Sequence, residues 1–439
     1  MTQLDGSSLV RVEPAGQYTI PTRTRGILAR GTAPVEEEHD LPGRGNSIAR
    51  VVSACVMLTL LAALVACDFG PTPPGPGPLP SPIATVIFPR RTPTPQIELE
   101  FLRPNPLVPL RAADLDAALR RVVDRTYCTP AWRSDDFPAS LSLPVRPVEG
   151  DLLFVWNSSG TSDYIAQPRA PTYGLPAGYT ISTSADSTDG TDGTWREVVR
   201  VTDNRARTRS HRFPAAGARW VRMTVTSAVP GPLGDEFVID EIDLHDASNS
   251  ADDTVFFLGD SITVAAFARC PANQPSFAEL VSRADPDRFP AMIDGGVGGM
   301  NSGFGVSVVE DWLDLNPDFN VWAIGYGTND AWQKVRPSVF EDNLQSLIDS
   351  ISEAGRIPVV ARIPFASDGP DDRNIRALNG VIDRVASRNA LLPGPDLYAW
   401  FRTHPDELGP DGVHPTEEGT RSINRLWYEA LRPLYGISR

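Results

Sequence analysis

The sequence predicts an α/β protein in which a three-layer α/β/α domain with a parallel sheet follows an N-terminal all-β sandwich. Two changes of pattern predict it. From 104 to 247, short runs that alternate apolar and polar residues are separated by loops rich in Gly, Ser, Thr and Asp, as half-buried antiparallel strands require. From 252 to 439, apolar runs of strand length alternate with longer stretches of helical period, the mark of a doubly wound parallel sheet covered on both faces. A length of 439 residues leaves room for both.

Within the first region the candidate strands are Ala139 to Leu143, Leu152 to Trp156, Tyr179 to Ser182, Trp195 to Val199, Trp220 to Val225 and Phe237 to Leu244. One short helix precedes them, with Leu115, Leu119, Val122 and Val123 on one face and Asp114 in its first turn. After the polar linker Ala247 to Asp252, the second region offers strands at Val255 to Leu258, Met292–Ile293, Val321 to Ile324, Ile357 to Ala361 and, more weakly, Leu391 to Leu397. Helical patterns lie near 276–284, 304–314, 337–354, 372–388 and 417–434.

Composition narrows the partners. The chain is 41% hydrophobic and 22% charged, with ample core material for a globular fold. Its net charge of -15 argues against nucleic acid or an anionic membrane surface, which call for clustered Lys and Arg. The single lysine, Lys334, leaves nearly all positive charge to arginine.

Residues 1–66 read as an N-terminal extension and a leader. The apolar run 51–66 is short for a bilayer span and the right size for a signal-peptide core, with Arg44 and Arg50 before it. It ends in Leu64-Val65-Ala66-Cys67, which resembles the lipobox of bacterial lipoproteins; the resemblance implies lipidation of Cys67, a mature protein starting there, and a cell-surface or secreted location. An ordinary signal peptide or short anchor, with Cys67 incidental, is the alternative. Residues 67–103 then form a Pro-rich tether that would run extended. With Cys55 in the leader and Cys67 lipidated, Cys128 and Cys270 remain, and in an oxidising compartment they can pair or stay as thiols.

Trp132 with the strand SLSLPV, then YTISTSAD, DGTWREV, ARWVRMTV and FVIDEIDLHD, resemble discoidin-like (galactose-binding-like) domains over most of 112–247. That resemblance implies glycan binding by loops at one end of the sandwich. Trp156, Tyr164 and Tyr173 are aromatic faces on which a sugar could stack, against the plainer reading of core or rim packing. The series Asp186, Asp189 and Asp192 lacks EF-hand spacing and reads as a solvated loop.

The informative residues of the second region stand where its strands end, the place where parallel sheets form their sites. Strand one runs into Gly259-Asp260-Ser261-Ile262-Thr263, strand two into Asp294-Gly295-Gly296-Val297-Gly298-Gly299, strand three into Gly325-Tyr326-Gly327-Thr328-Asn329-Asp330; Asp411-Gly412-Val413-His414-Pro415 follows near the C-terminus. This ordered set resembles the SGNH hydrolases, or GDSL-type esterases, over 253–434. The resemblance implies Ser261 as nucleophile, Asp411 and His414 as its triad partners, and Ser261, Gly299 and Asn329 as oxyanion donors. There are three departures from the commoner pattern: Ile262-Thr263 in place of the usual ending, Asp294 where Asn is frequent, and Met300 where Asp is frequent.

Residue chemistry points the same way. Serine needs an adjacent base, and among the five histidines only His414 has a carboxylate three residues upstream to orient it. His404 is the nearest rival; His211 and His245 fall in the sandwich and His39 before the leader. No metal or cofactor is required, and Asp260 reads as a turn-fixing group rather than a ligand. The expected activity is that of an exported serine esterase acting on acyl esters, O-acetylated saccharide foremost, and falling in acid as His414 protonates. A lipase or lysophospholipase, and a glycan-binding surface lipoprotein with an inert hydrolase-like domain, are the alternatives.

Overall fold

A computed structural model of the chain describes residues 101–111, 115–127, 130–158, 174–231, 234–268 and 275–436. The extension, the leader with Cys67, most of the Pro-rich tether, Cys128, Cys270, Tyr164 and Tyr173 lie outside the described residues.

Ahead of the sandwich stands helix α1 (Ala117–Val122), capped by the Asp116 carboxylate, which accepts from Ala118 and Leu119 N–H. This corrects the expected start: Asp114 lies outside the described residues, and the cap is Asp116. The sandwich strands are β1 (Trp132–Ser134), β2 (Ala139–Pro144), β3 (Asp151–Asn157), β4 (Pro176–Ser184), β5 (Arg196–Val201), β6 (Thr208–Pro214), β7 (Trp220–Ala228), β8 (Phe237–Ile239) and β9 (Glu241–Asp246). They form antiparallel sheets in the orders β2-β7-β4-β5 and β6-β3-β9, with β1 paired to β8. Leu141, Val221, Met223 and Ile181 from one sheet meet Leu152, Phe154, Trp156, Phe213 and Ile242 from the other in a common core.

Two sequence expectations change here. The run Phe237 to Leu244 is not one strand: it breaks at buried Asp240, whose N–H donates to Asn157 O at 2.9 Å, and its halves join different sheets. Trp156 is fully buried in the core, edge-on to Tyr179 with ring centroids 5.7 Å apart, so it offers no face to a sugar.

The α/β domain contains β10 (Thr254–Gly259), α2 (Ser261–Ala268), α3 (Phe277–Ala284), β11 (Ala291–Asp294), α4 (Ser302–Leu315), β12 (Val321–Gly325), α5 (Thr328–Trp332), α6 (Pro337–Glu353), β13 (Ile357–Arg362), α7 (Asp372–Arg388), β14 (Pro393–Asp396), α8 (Leu397–Thr403) and α9 (Glu417–Leu431). The sheet is parallel throughout, in the order β11-β10-β12-β13-β14. Every residue of β10 is buried. Phe256 stacks on Trp322 at 4.2 Å and packs against Trp312 of α4, whereas Phe257 points the other way, onto Phe277 of α3 and Trp427 of α9. Alternate β10 side chains thus anchor a helical layer on each face, which makes the three layers.

The two regions share an interface. In β3, Leu153 and Val155 belong to the core of the α/β domain while Leu152, Phe154 and Trp156 face the sandwich core. Strand β6 shows no strand period in the sequence because its alternate positions are polar; Ser210 N–H and Oγ donate to Asn316 Oδ1 at 3.0 and 3.2 Å, and Arg212 Nε donates to Asp318 at 2.8 Å. The chain entering from the tether is also engaged: Leu102 N–H donates to Leu434 O at 2.8 Å, and Arg103 pairs with Asp252.

Candidate active site

The site begins where β10 ends. Gly259 is needed for space, since a Cβ there would sit 2.8 Å from Gly325 O of β12. Asp260 closes the turn: its Oδ1 accepts Ile262 N–H at 2.9 Å and its carbonyl accepts Val264 N–H at 3.1 Å, so α2 starts at Ser261. The Asp260 carboxyl is fully buried; burial pushes it up to about 7, opposed by the Ile262 N–H and reinforced by the nearby Asp330.

Asp411 and His414 lie in the loop between α8 and α9. Gly409 N–H donates to His414 O at 2.7 Å and Gly412 N–H to Gly409 O at 2.9 Å, folding the loop on itself. Gly412 adopts φ of 68° with Asp368 N 2.6 Å from its Cβ position, so both conformation and space demand glycine. Asp411 Oδ1 accepts Val413 N–H and His414 N–H, each at 3.0 Å, which frees Oδ2 for His414 Nδ1 at 2.6 Å. Partial burial raises the Asp411 carboxyl, yet these hydrogen bonds outweigh it and hold the group down at about 2. A carboxylate only accepts, so Nδ1 carries the proton toward Asp411. His414 Nε2 then faces Ser261 Oγ at 2.8 Å. Ser261, His414 and Asp411 thus form one unbroken hydrogen-bonded chain.

The predicted oxyanion residues stand beside it. Asn329, near the start of α5, donates from Nδ2 to Met300 O at 3.0 Å and, more weakly, to Asp260 Oδ2 at 3.4 Å. Gly299 directly precedes Met300, has φ of 77°, and has nothing within 4 Å of its Cβ position. Its backbone is therefore open to close approach by a substrate. His404 is engaged with its own helix: Nδ1 lies 3.0 Å from Trp400 O and the ring stacks on Trp400 at 3.8 Å. His211 and His245 are on β6 and β9 of the sandwich.

Sequence reasoning missed several supporting groups. Asp330 accepts Ser302 Oγ–H at 2.5 Å and Ser302 N–H at 2.9 Å, tying α4 to α5 behind Asn329. Asp330 directly follows Asn329 at the end of strand three's run, but its partner Ser302 carries no local signal. Asp294, one of the departures, is bonded to Arg207 of the sandwich. Among the described residues, no group of three or more His, Cys, Asp or Glu side chains is placed to hold a metal ion, and no helix is long and apolar enough to cross a membrane.

A profile described as "GDSL-like Lipase/Acylhydrolase family" matches residues 257–421, a span that contains Ser261, Gly299, Asn329, Asp411 and His414. The C-terminal region is a carboxylic ester hydrolase. This esterase domain is similar to a lipase/acylhydrolase from Enterococcus faecalis (22% identity, 42% of this chain and 98% of that one, TM-score 0.36). Also similar are a variant of an acetyl xylan esterase from Geobacillus stearothermophilus (20%, 42% and 95%, 0.34) and a psychrotrophic esterase from Pseudoalteromonas (16%, 42% and 100%, 0.35). No curated protein matches the sequence of the esterase.

The buried Asp260 makes a stability prediction. Its folded-state pKa, about 7, lies above the unfolded value of 3.8, so between these the folded state holds a proton that the unfolded state releases. The contribution of Asp260 to stability therefore falls as pH rises from about 4 to about 7. Asp260→Asn, which retains an acceptor for Ile262 N–H, is expected to show a shallower decline in thermal midpoint over that range. Parallel slopes for the two proteins would contradict the assignment.

Proposed function

We propose that the protein hydrolyses acyl esters through Ser261, with O-acetyl groups on carbohydrate as the favoured substrates. The observation that carries this reading is the chain Asp411 Oδ2, His414, Ser261 Oγ, with separations of 2.6 and 2.8 Å. His414 Nε2 takes the Ser261 proton as Oγ attacks the ester carbonyl, and Asp411 stabilises the imidazolium that forms. The tetrahedral oxyanion is met by the N–H groups of Ser261 and Gly299 and by the Asn329 amide, whose weak bond to Asp260 is the one it can exchange for substrate. His414 returns the proton to the departing alcohol. Water, deprotonated by the same nitrogen, then releases the acid from the acyl-serine.

The saccharide preference draws support from Trp332, three residues beyond Asn329 and 55% exposed. Its ring lies against Gly369, on a segment whose Ser367 N–H donates to Gly412 O at 2.8 Å, between Asp411 and His414. An exposed indole so near the triad loop is a surface for the apolar face of a sugar ring. Glycan binding by the discoidin-like sandwich belongs to the same reading, through residues other than Trp156. Export as a lipoprotein acylated at Cys67 and pairing of Cys128 with Cys270 are proposed from the sequence alone. Incorporation of labelled palmitate in a bacterial host, lost on Cys67→Ala, is the expected result for the anchor; labelling that survives the substitution excludes it.

Kinetics on p-nitrophenyl acetate test the chemistry. Ser261→Ala is expected to abolish turnover, Asp411→Asn to lower kcat by about 10⁴, and Asn329→Ala by about 10²–10³. Full activity in Ser261→Ala refutes the mechanism.

The saccharide reading predicts that Trp332→Ala raises KM for acetylated oligosaccharide while leaving p-nitrophenyl acetate unaffected. It also predicts that rates fall from acetyl to palmitoyl esters. A preference for the long chains would select the lipase alternative.

A further inference from the structure

We propose that Arg207, reaching across from the sandwich, is a positioning residue for ester hydrolysis: it sets the glycine loop that presents the Gly299 N–H. The proposal rests on the reading of Gly299 as an oxyanion donor. Arg207 Nη2 lies within bonding distance of three oxygens on one short segment: Asp294 Oδ2 at 2.5 Å, Asp294 O at 3.1 Å and Gly296 O at 3.0 Å. Asp294 Oδ1 meanwhile accepts Gly296 N–H at 2.8 Å, so the carboxylate both closes the first turn of the loop and receives the guanidinium.

The loop needs such a hold. Four of residues 295–299 are glycine, and glycine loses more freedom on being fixed than any other residue. One side of the loop is fastened to β10 by Gly295 N–H to Phe257 O at 2.8 Å and Val297 N–H to Gly259 O at 2.9 Å, immediately before Asp260 and Ser261. Arg207 fastens the other side. Together they fix the spacing between the two backbone donors, on Ser261 and Gly299, that must converge on one oxygen.

Both partners are shielded, with side-chain exposures of 16% for Arg207 and 8% for Asp294. Solvent screening is therefore weak, and removing the arginine leaves a buried carboxylate unpaired at the start of the loop. Such a carboxylate gains by turning toward water, which would carry Gly295 and Gly296 with it. Displacing a catalytic group by about 1 Å can cost about 10² in rate.

The test uses the full chain and p-nitrophenyl acetate, with active sites counted by a phosphonate that labels Ser261 and with thermal unfolding recorded alongside. Arg207→Met is expected to lower kcat per titrated site by about 10² with KM little changed. Adding Asp294→Asn is expected to recover most of that loss, because the asparagine still accepts Gly296 N–H and leaves no buried charge. A kcat per titrated site equal to wild type, a loss found only in thermal midpoint or titratable fraction, or a double variant no better than the single one would each overturn the proposal. Where Arg207→Met does not fold, Arg207→Lys replaces it: its side chain is one bond shorter, so its ammonium falls short of the position from which Nη2 meets all three oxygens, and a smaller fall in kcat is expected while a wild-type kcat overturns the idea. Ser261→Ala separates the two levels. If it retains activity, the underlying reading fails; if it is inactive while the arginine variants turn over normally, only the clamp fails.

Discussion

The burial of β10 on both faces is the constraint on which the rest of the molecule depends. Its side chains alternate between Trp312 and Trp322 on one side and Phe277 and Trp427 on the other, so the strand cannot shift by a residue without sending every ring to the wrong layer. That fixed register determines where the strand stops, and hence where Asp260 turns the chain and Ser261 begins α2. The sheet order also reverses about this strand, with β11 to one side and β12 to the other, so the segments following all three converge at one rim.

At that rim the carboxylates of Asp411 and Asp260 are used in opposite ways. Asp411 is half-exposed, and its charge is held by the His414 ring and two backbone N–H groups. Asp260 is sealed from water, with one backbone donor and a long contact to Asn329, and burial favours its neutral form. One is kept charged to orient and stabilise an imidazolium. The other shapes a turn and abuts the amide proposed to meet the oxyanion, in surroundings where electrostatic contacts are strong because water is absent.

The sandwich is joined to this machinery more closely than a polar linker suggests. Leu153 and Val155 of β3 enter the core of the α/β domain, and β6 presents Ser210 and Arg212 to Asn316 and Asp318. A strand whose outward positions are buried in polar contacts shows no apolar alternation, which is why β6 was invisible to period-based reading. The same junction delivers Arg207 to Asp294.

Short-range physics determined much of this protein from the sequence alone. The change of hydrophobic period marked both regions, α7 spans the residues its pattern predicted, and the placing of Ser261, Gly299, Asn329, Asp411 and His414 after successive strands and in a glycine-bearing loop was legible because turns demand particular residues at particular positions. Other features depended on groups far apart in the chain. The sequence already pointed to His414 over His404 as the partner of Ser261, but only the folded molecule brought the two side chains to 2.8 Å, buried Trp156 instead of offering it to a ligand, split the Phe237 to Leu244 run between two sheets, and turned Asp294 from a departure into the partner of Arg207. Hydrogen bonds and burial act between neighbours in space, and for these residues the neighbours are separated by 87 positions or more in two cases, Arg207 with Asp294 and Ser261 with His414, beyond the reach of any local pattern.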